Sequence, residues 1–349
     1  MSIPTLTEQP SAAAFRVTRW SRSSIVGTSM LGLAVVVLAA LPYLVGLATI
    51  QSLVSLFILV ILASTWNLLA GYGGMLSIGQ QAYIGIGAYG LVLIADLVGL
   101  DPFLAVPVAA LIAALVSIPI SFLAFRLVGG YFAIGTWVIA EVLRLTVSQV
   151  PELGAGSGIS LSALSGLDRI LRIATVYWWA LAVLVIVVVA CVLFARSRGG
   201  LALTAVRDDP IAAATSGIDV QRSKRLVFVA AAAGAGAAGA LLALSTLRVQ
   251  PNAVFSVEWS AFMIFIVLIG GLGTLEGPLI GAIVFFVLRE SLADYGSTYL
   301  IVLGVLGVLF VLFARRGLWG LVQQRWGISL FPTGYRVAPI ESGRPRRRR

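Results

Sequence analysis

Long apolar runs, separated by short polar segments, recur along the chain. A helix needs about 20 such residues to cross a hydrocarbon core roughly 30 Å thick, and the short alternating patterns typical of strands are missing. The pattern therefore predicts an all-α fold, a polytopic transmembrane helix bundle of nine or ten spans. We place the spans near residues 25–46, 51–70, 83–100, 104–125, 131–149, 175–195, 226–246, 260–270, 278–292 and 298–314.

Glycine-rich segments interrupt the apolar pattern once in each half of the chain. The first is NLLAGYGGMLSIGQQAYIGIGAYG, from Asn67 to Gly90, and the second is IGGLGTLEGPLIG, from Ile269 to Gly281. Paired interruptions of this kind point to a transport site built from broken helices near the middle of the membrane. The alternative is close helix packing through small residues. Both interpretations stay open for the first segment, and packing is the stronger one for the second.

The second interruption also bears on the number of spans. One long broken helix would give nine spans and would place the basic C-terminal motifs RRGLWG and RRRR outside. Two separate helices give ten spans and leave both chain ends inside, as the positive-inside rule favours. On the ten-span topology, nineteen Lys and Arg residues lie inside, four lie outside and Arg144 lies within a span. We therefore favour ten spans with cytoplasmic termini.

Composition supports a membrane protein and limits other classes. Hydrophobic residues make up 60% of the chain, charged residues only 11%, and the mean hydropathy is +1.04, whereas soluble domains contain about a quarter charged residues. The net charge of +10 could indicate nucleic-acid binding, but the basic residues flank apolar runs. The C-terminal RPRRRR is better suited to anionic lipid.

The two ends of the chain differ from its apolar centre. Residues 1–24 predict a cytoplasmic disordered tail, residues 25–314 the transmembrane domain, and residues 315–349 an interfacial helix followed by a basic cytoplasmic tail. The interfacial helix is expected because Trp319, Trp326 and Phe331 stand among basic residues. The first apolar run follows basic residues but is too long for a signal segment, so it is interpreted as a retained helix.

Residue usage disfavours several kinds of chemistry. The chain has no histidine and one cysteine, Cys191, which argues against zinc, haem and histidine-based catalytic sites. Its single lysine, Lys224, lies in QRSKRL without the glycines that a P-loop uses to hold phosphates. We expect no enzyme activity, no metal and no nucleotide site in this chain. Cys191 is expected to pack against core or lipid.

Two charged residues stand inside a predicted span, in GTWVIAEVLRL. Glu141 and Arg144 lie three positions apart, on one helix face, where they can pair and lower the cost of charge at membrane depth. The pair serves either structural neutralisation within the bundle or the gating and lining of a translocation path. Ion-coupled carriers usually contain more buried carboxylates than this chain provides.

A polar segment, GLALTAVRDDPIAAATSGIDVQRSKR, separates the sixth and seventh spans. It is far longer than the roughly 2–8 residues that usually connect bundle helices. Asp208 or Asp209 as N-cap, Pro210 at the first helical position and Gly217 as a stop predict a short helix here. The helix either docks on a partner outside the membrane or is an ordinary surface element.

Four blocks of the chain resemble one family, the permeases of branched-chain amino acid ABC transporters of the LivM type. WNLLAGYGGMLSIGQQAYIGIGAYG, GGYFAIGTWVIAEVLRL, the segment beginning RDDPIAAATSGI and IGGLGTLEGPLIGA follow the order of that family's motifs over residues 60–290. AAATSGI resembles the EAA-type coupling loop of importer permeases, with Ala212 where the family has Glu. Gln80 stands where family members often have His.

The resemblance implies a subunit of an importer in the bacterial plasma (inner) membrane. A periplasmic or lipid-anchored binding protein would deliver the substrate, a LivH-like sister permease would complete the path, and two LivG/LivF-like ATPase subunits would bind ATP and dock on the coupling loop. Branched-chain amino acids are the first expected substrates, and urea or short-chain amides the second. The rivals are an ion-coupled secondary transporter and a membrane scaffold without transport activity.

The resemblance assigns candidate residues to two roles. The ATPase-coupling loop spans 196–225, and its candidate residues are Arg207, Asp208, Asp209, Pro210, Ala212, Ala213, Ala214 and Gly217. The candidates for the translocation path are Asn67, Gly71, Gly74, Ser77, Gly79, Gln80, Gly85, Thr136, Glu141, Arg144, Gly271, Gly273 and Thr274.

Overall fold

The apolar runs fold into helices in the computed structural model, which describes residues 15–18, 22–164, 166–292, 298–313, 317–326, 330–331 and 336–339. In chain order the helices are α1 (Arg22–Ala40), α2 (Leu47–Asn67), α3 (Gln81–Leu97), α4 (Ala105–Ala124), α5 (Gly130–Ser148), α6 (Arg169–Arg196), α7 (Arg198–Asp208), α8 (Pro210–Thr215), α9 (Val220–Thr246), α10 (Pro251–Val254), α11 (Val257–Gly270), α12 (Gly277–Leu292), α13 (Thr298–Phe313) and α14 (Gly317–Trp326). Each of the ten predicted spans coincides with one of these helices.

Seven helical segments of the described chain are long and apolar enough to cross a membrane. They are α1, α2 with its continuation to Tyr72, α4, α5, α6, α9 and the stretch from Pro251 to Gly270 that combines α10 and α11. Helices α3, α12 and α13 are also apolar, with 17, 16 and 16 residues. The prediction of an all-α, multi-pass membrane helix bundle is confirmed.

Helix α9 packs closely against its neighbours through small side chains. A Cβ atom at Gly87 of α3 would stand 2.6 Å from the carbonyl carbon of Gly236 in α9, and one at Gly239 would stand 2.7 Å from the carbonyl carbon of Ile84. A Cβ atom at Gly234 would clash with the side chain of Thr65 from α2. Small residues let membrane helices approach until their backbones touch, so the Gly- and Ala-rich sequence of α9 places it among α2, α3 and α4.

Helices α11 and α12 form an antiparallel hairpin around the second glycine-rich interruption. Gly281 packs against Ile266 at one level, and Gly277 packs against Gly270 next to the turn. The turn itself, residues 271–276, contains Gly271 at φ 128° and Gly273 at φ 77°, conformations that favour glycine. This region therefore consists of two helices that fold back on each other, in agreement with the favoured ten-span interpretation.

Two short antiparallel sheets join distant parts of the chain. Strand β1 (Phe15–Thr18) pairs with β4 (Arg336–Pro339), and β2 (Ile159–Ser160) pairs with β3 (Arg248–Val249). The β1 and β4 segments were expected to be disordered tail, yet the structure pairs them, as the β-branched residues Val17, Thr18 and Val337 favour. The other tail residues, 1–14, 19–21, 332–335 and 340–349, lie outside the described residues.

The predicted interfacial segment forms helix α14, which packs on the α11–α12 hairpin. Gly317 begins the helix at φ 67°, and a Cβ atom there would clash with the backbone of Gly271. Trp319 is 7% exposed, whereas Trp326 is 65% exposed. One face of α14 therefore belongs to the protein core and the other is free; its location at a membrane interface stays a prediction.

The single cysteine packs as expected. Cys191 is buried in α6 and lines an apolar cavity of about 660 Å³ between α2, α4, α6 and α9. Thr65 and Leu68, which flank the start of the first glycine-rich interruption, also line this cavity.

Candidate functional site

The first glycine-rich interruption covers the end of α2 and the segment that leads into α3. A π-helical turn, Leu68–Tyr72, continues α2, and residues 73–80 then run without regular helix until α3 begins at Gln81. Gly74 in this segment has φ 65°, a conformation that glycine adopts readily. Wide π turns often occur at functional sites, since the helix ladder is weakest there.

Side chains from three helices satisfy the backbone of the irregular segment. The indole Nε1 of Trp66 donates to the Ser77 carbonyl at 2.8 Å, and the hydroxyl of Ser260 donates to the Ile78 carbonyl at 3.0 Å. The Ile78 amide donates to the hydroxyl oxygen of Thr136 at 3.2 Å. Non-helical backbone at membrane depth is tolerated where protein groups replace its missing hydrogen-bond partners. The irregular conformation of this segment is therefore stabilised by specific side chains.

Glycine and glutamine positions in this segment have different surroundings. A Cβ atom at Gly79 would clash with the backbone of Thr136, and one at Gly85 would clash with the ring of Phe255. These two candidates therefore have a packing role. Gln80 is 1% exposed, and its side-chain nitrogen has no acceptor among the described residues, so it is the candidate here with unused donor capacity.

Asn67 joins the two glycine-rich interruptions to each other. Its Oδ1 accepts a hydrogen bond from the Gly273 amide at 2.8 Å, and its Nδ2 donates to the Thr274 carbonyl at 2.7 Å. Asn67 is 1% exposed. Gly71, one turn further along, lies so close that a Cβ there would stand 2.6 Å from the Gly273 nitrogen. The structure thus brings together candidates that are about 200 residues apart in sequence.

Arg207, at the end of α7, connects the polar segment to the same place. Its Nη1 donates to the Gly71 carbonyl at 2.7 Å, and its Nε donates to Asp208 Oδ1 at 2.9 Å. The aliphatic part of Arg207 covers Gly74, where a Cβ atom would stand 2.9 Å from Arg207 Cγ. Leu203 and Val206 are buried and hold α7 on the bundle.

The short helix predicted in the polar segment is confirmed as α8, and its N-cap is Asp209. The Asp209 carboxylate accepts from the amides of Ile211 and Ala212 at 2.9 and 3.0 Å, which satisfies two free donors of the first turn. Pro210 occupies the first helical position. Gly217 ends the helix at φ 83°.

One face of α8 points to the bundle and the other is free. Ala213 is 4% exposed and packs inward, whereas Ile211 is 78% exposed. Ala212, Ala214, Asp208 and Gly217 are also exposed. Among the candidate loop residues, Ala213 is therefore an anchor, and a partner would meet the exposed ones.

Glu141 and Arg144 pair as their spacing predicted, on α5. The Arg144 Nε donates to both carboxylate oxygens of Glu141, at 2.9 and 3.0 Å, and Nη1 donates to the side-chain oxygen of Asn252 in α10. The side chains of Glu141 and Arg144 are 45% and 24% exposed. In this chain taken alone, the pair therefore faces outward from α5.

The structure sorts the predicted path residues into three groups. The first surrounds Arg207 and contains Asn67, Gly71, Gly74, Gly271, Gly273 and Thr274. The second lies along the irregular segment and contains Ser77, Gly79, Gln80, Gly85 and Thr136. The third is the Glu141–Arg144 pair.

Sequence reasoning missed several residues that support these groups: Trp66, Ser260, Asn252 and Glu276. Glu276 is 6% exposed, and its carboxylate accepts from the amides of Leu330 and Phe331 at 2.9 and 3.0 Å. Glu276 thereby ties the C-terminal segment to the 271–276 turn. For Glu276 the sequence did contain a signal, because it is a charged residue inside the second glycine-rich interruption.

Comparison with known proteins gives the family. A sequence profile described as branched-chain amino acid transport system / permease component matches residues 48–314. The chain belongs to this family. The permease is 30% identical over 322 residues to the high-affinity branched-chain amino acid transport system permease protein LivM of Escherichia coli strain K12, a match that covers 84% of this chain and 76% of the relative.

Two other relatives give the same result. The LivM protein of Salmonella typhimurium strain LT2 is 29% identical to the permease over 309 residues, with 81% of this chain and 72% of the relative covered. A branched-chain amino acid transport permease protein named LivH, from Methanocaldococcus jannaschii, is 27% identical over 233 residues and covers 62% of this chain and 70% of its own. No solved structure shows a significant match to the permease.

Proposed function

We propose that this permease carries branched-chain amino acids inward across a bacterial plasma membrane, as one membrane subunit of an ATP-binding-cassette importer. Separate ATPase subunits bind the ATP and dock on loop 196–225, which faces the cytoplasm together with both chain ends. The names of the relatives support the substrate class. The sequence lacks a P-loop, which supports placing nucleotide binding on other subunits.

The observation that carries this proposal is the geometry of the polar segment. Its helix α8 is capped at Asp209 and anchored by Ala213, while Ile211 is 78% exposed. A large apolar side chain on a small helix, free of its own bundle, suits insertion into a groove on a partner. Immediately before this helix, Arg207 bonds to the Gly71 carbonyl of the interrupted span.

The path runs, in this proposal, along the face of α5 that carries Glu141 and Arg144. A half-exposed carboxylate is unfavourable against lipid tails, so we place this face toward a LivH-like sister permease rather than toward lipid. Adjacent opposite charges also suit the ammonium and carboxylate of a zwitterionic amino acid. A binding protein on the outer side delivers the substrate, and ATP binding in the ATPase subunits drives alternating access, because the partners make different contacts with the two states.

The test is uptake by the reconstituted complex. The permease, its sister permease and the two ATPases are placed in proteoliposomes with the binding protein, and uptake of labelled leucine, isoleucine and valine is followed with and without ATP. We expect uptake only with ATP and only with all subunits present. Labelled urea and acetamide serve as the comparison substrates.

Three outcomes would overturn the proposal. ATP-dependent uptake of urea or acetamide without amino acid uptake would make the chain an amide permease. Uptake by this chain alone under an ion gradient would make it a secondary transporter. A complex that assembles but moves no solute, and whose ATP hydrolysis does not respond to the loaded binding protein, would indicate that the chain is a membrane scaffold without transport activity.

A further inference from the structure

We infer that Arg207 and Asn67 form a mechanical link that carries the motion of the ATPase-docking loop to both glycine-rich interruptions at once. The inference rests on the proposed function, because it assumes that loop 196–225 receives a push from an ATPase. To that function the inference adds the residues that transmit the motion of the loop to the membrane helices, and the backbone groups to which these residues bond.

The first joint of the link is the bond between Arg207 and Gly71. Arg207 Nη1 donates to the Gly71 carbonyl at 2.7 Å, and the same guanidinium holds Asp208 Oδ1 through Nε at 2.9 Å. The Arg207 side chain is 37% exposed. A planar guanidinium that is held at two edges keeps a fixed direction, so a displacement of α7 displaces the Gly71 carbonyl with it.

The second joint lies one helical turn back along the same span. Asn67 accepts from the Gly273 amide and donates to the Thr274 carbonyl, at 2.8 and 2.7 Å. Asn67 immediately precedes the π-helical turn Leu68–Tyr72, and Gly71 lies within that turn. Movement of Gly71 is therefore passed along the helix to Asn67, and from there to the turn between α11 and α12 through a side chain whose two polar atoms both bond to that turn.

Close packing leaves little slack between these parts. A Cβ atom at Gly71 would stand 2.5 Å from Asn67 Oδ1 and 2.6 Å from the Gly273 nitrogen, and one at Gly74 would stand 2.9 Å from Arg207 Cγ. Packed elements of this kind move together as rigid bodies instead of deforming gradually. The π turn and the irregular residues 73–80 are the parts with the fewest helix bonds, so the motion is absorbed there.

Two properties separate this role from a purely structural one. A side chain that only stabilises the fold would, when replaced, lower the yield or melting temperature of the complex together with its activity. A linking side chain would leave assembly intact and would lower the amount of substrate moved per ATP. Arg207 is at the surface end of the link, which makes it the residue to change.

The experiment uses the full complex in proteoliposomes, with loaded binding protein as the stimulus. It compares wild type with Arg207→Gln, Arg207→Lys and Arg126→Gln. Lysine keeps a charged donor for the Gly71 carbonyl. Arg126 is an exposed arginine just beyond α4, next to Phe125, which packs on Phe228 of α9. Arg126→Gln is the matched control, because it removes one positive charge away from the link.

We expect Arg207→Gln to lower leucine moved per ATP hydrolysed by about tenfold, with unchanged complex yield and melting temperature. Arg207→Lys should recover a substantial part of the ratio, and Arg126→Gln should match wild type. A wild-type ratio in Arg207→Gln would overturn the link. So would a fall in ratio that Arg207→Lys fails to recover, or one that Arg126→Gln shares.

Failure of the proposed function would look different. In that case the wild-type complex itself would show no ATP-dependent uptake or no stimulation by the binding protein. If Arg207→Gln does not assemble, Arg207→Lys decides alone. A ratio that is lowered but largely retained, with normal assembly, supports the link. A ratio equal to wild type, a ratio that is lost, or a Lys variant that does not assemble overturns the link.

Discussion

The contact between α3 and α9 makes a sharp prediction about glycine. In Gly87→Ala the new Cβ atom would stand 2.6 Å from the carbonyl carbon of Gly236, and nearer still to its oxygen. Carbon atoms in good contact are about 3.5–4.0 Å apart, so the two helices would have to separate by about 1 Å. In Gly90→Ala, on the same helix, the nearest atoms would be 3.8 Å away.

The comparison of these two variants isolates the packing cost. Both gain the roughly 1 kcal/mol by which alanine exceeds glycine as a helix former, so this gain cancels in the difference. Overpacking costs about 1–3 kcal/mol. We therefore expect Gly87→Ala to be less stable than Gly90→Ala by about 1–3 kcal/mol, with Gly90→Ala as stable as wild type or slightly more so.

Reversible unfolding in mixed detergent–SDS micelles, followed by circular dichroism, measures this difference from the two midpoints. Equal midpoints for the two variants would refute the close backbone approach of α3 and α9. A more stable Gly87→Ala would refute it more strongly, because the added methyl group would then fill space that the structure assigns to Gly236.

Three further substitutions test separate contacts. Asn67→Ala leaves two partly buried backbone groups of the 271–276 turn without their partner. The free energy of unfolding should therefore fall by about 2 kcal/mol, and a change below half that value would contradict the bridge. Arg144→Ala leaves Glu141 unpaired at membrane depth and should lower the free energy of unfolding by about 2–3 kcal/mol. The double change Glu141→Gln with Arg144→Gln should recover most of this loss. Equal losses in the single and double variants would contradict the pairing. Asp209→Ala should weaken α8 by about 1 kcal/mol, seen as faster hydrogen exchange of its amides, and unchanged exchange would contradict the cap.

Local patterns in the sequence were enough to predict much of the fold. Apolar runs located the membrane helices, because the bilayer requires each span to satisfy its own backbone. The spacing of Glu141 and Arg144 predicted their pair, and Asp209 followed by Pro210 predicted the start of α8, because both depend only on residues within one helical turn. The roles of the candidate residues in transport stay predictions.

Contacts between distant segments were not predictable from such patterns. The Asn67 bridge joins residues about 200 positions apart, and the bond between Arg207 and Gly71 joins residues 136 positions apart. Nothing local distinguishes an Asn that holds a remote turn from one that lines a path. Helix α7 was also missed as a separate element, since its polar composition is shared with the whole loop.

The sheet formed by β1 and β4 was missed for a related reason. Segments of four residues at opposite ends of the chain gain order only by pairing with each other. Polar composition alone predicts disorder for such segments. Long-range pairing therefore explains the difference between the expected tails and the observed strands.

The most direct test of the central claim, that ATPase subunits work this permease through α8, is photocrosslinking in intact cells from a benzophenone amino acid at position 211. Ile211 is 78% exposed and points away from the bundle. We expect one dominant adduct, which contains the permease and an ATPase subunit. An adduct with the extracytoplasmic binding protein would contradict the claim. So would labelling of Ile211→Cys by a membrane-impermeant thiol reagent added outside.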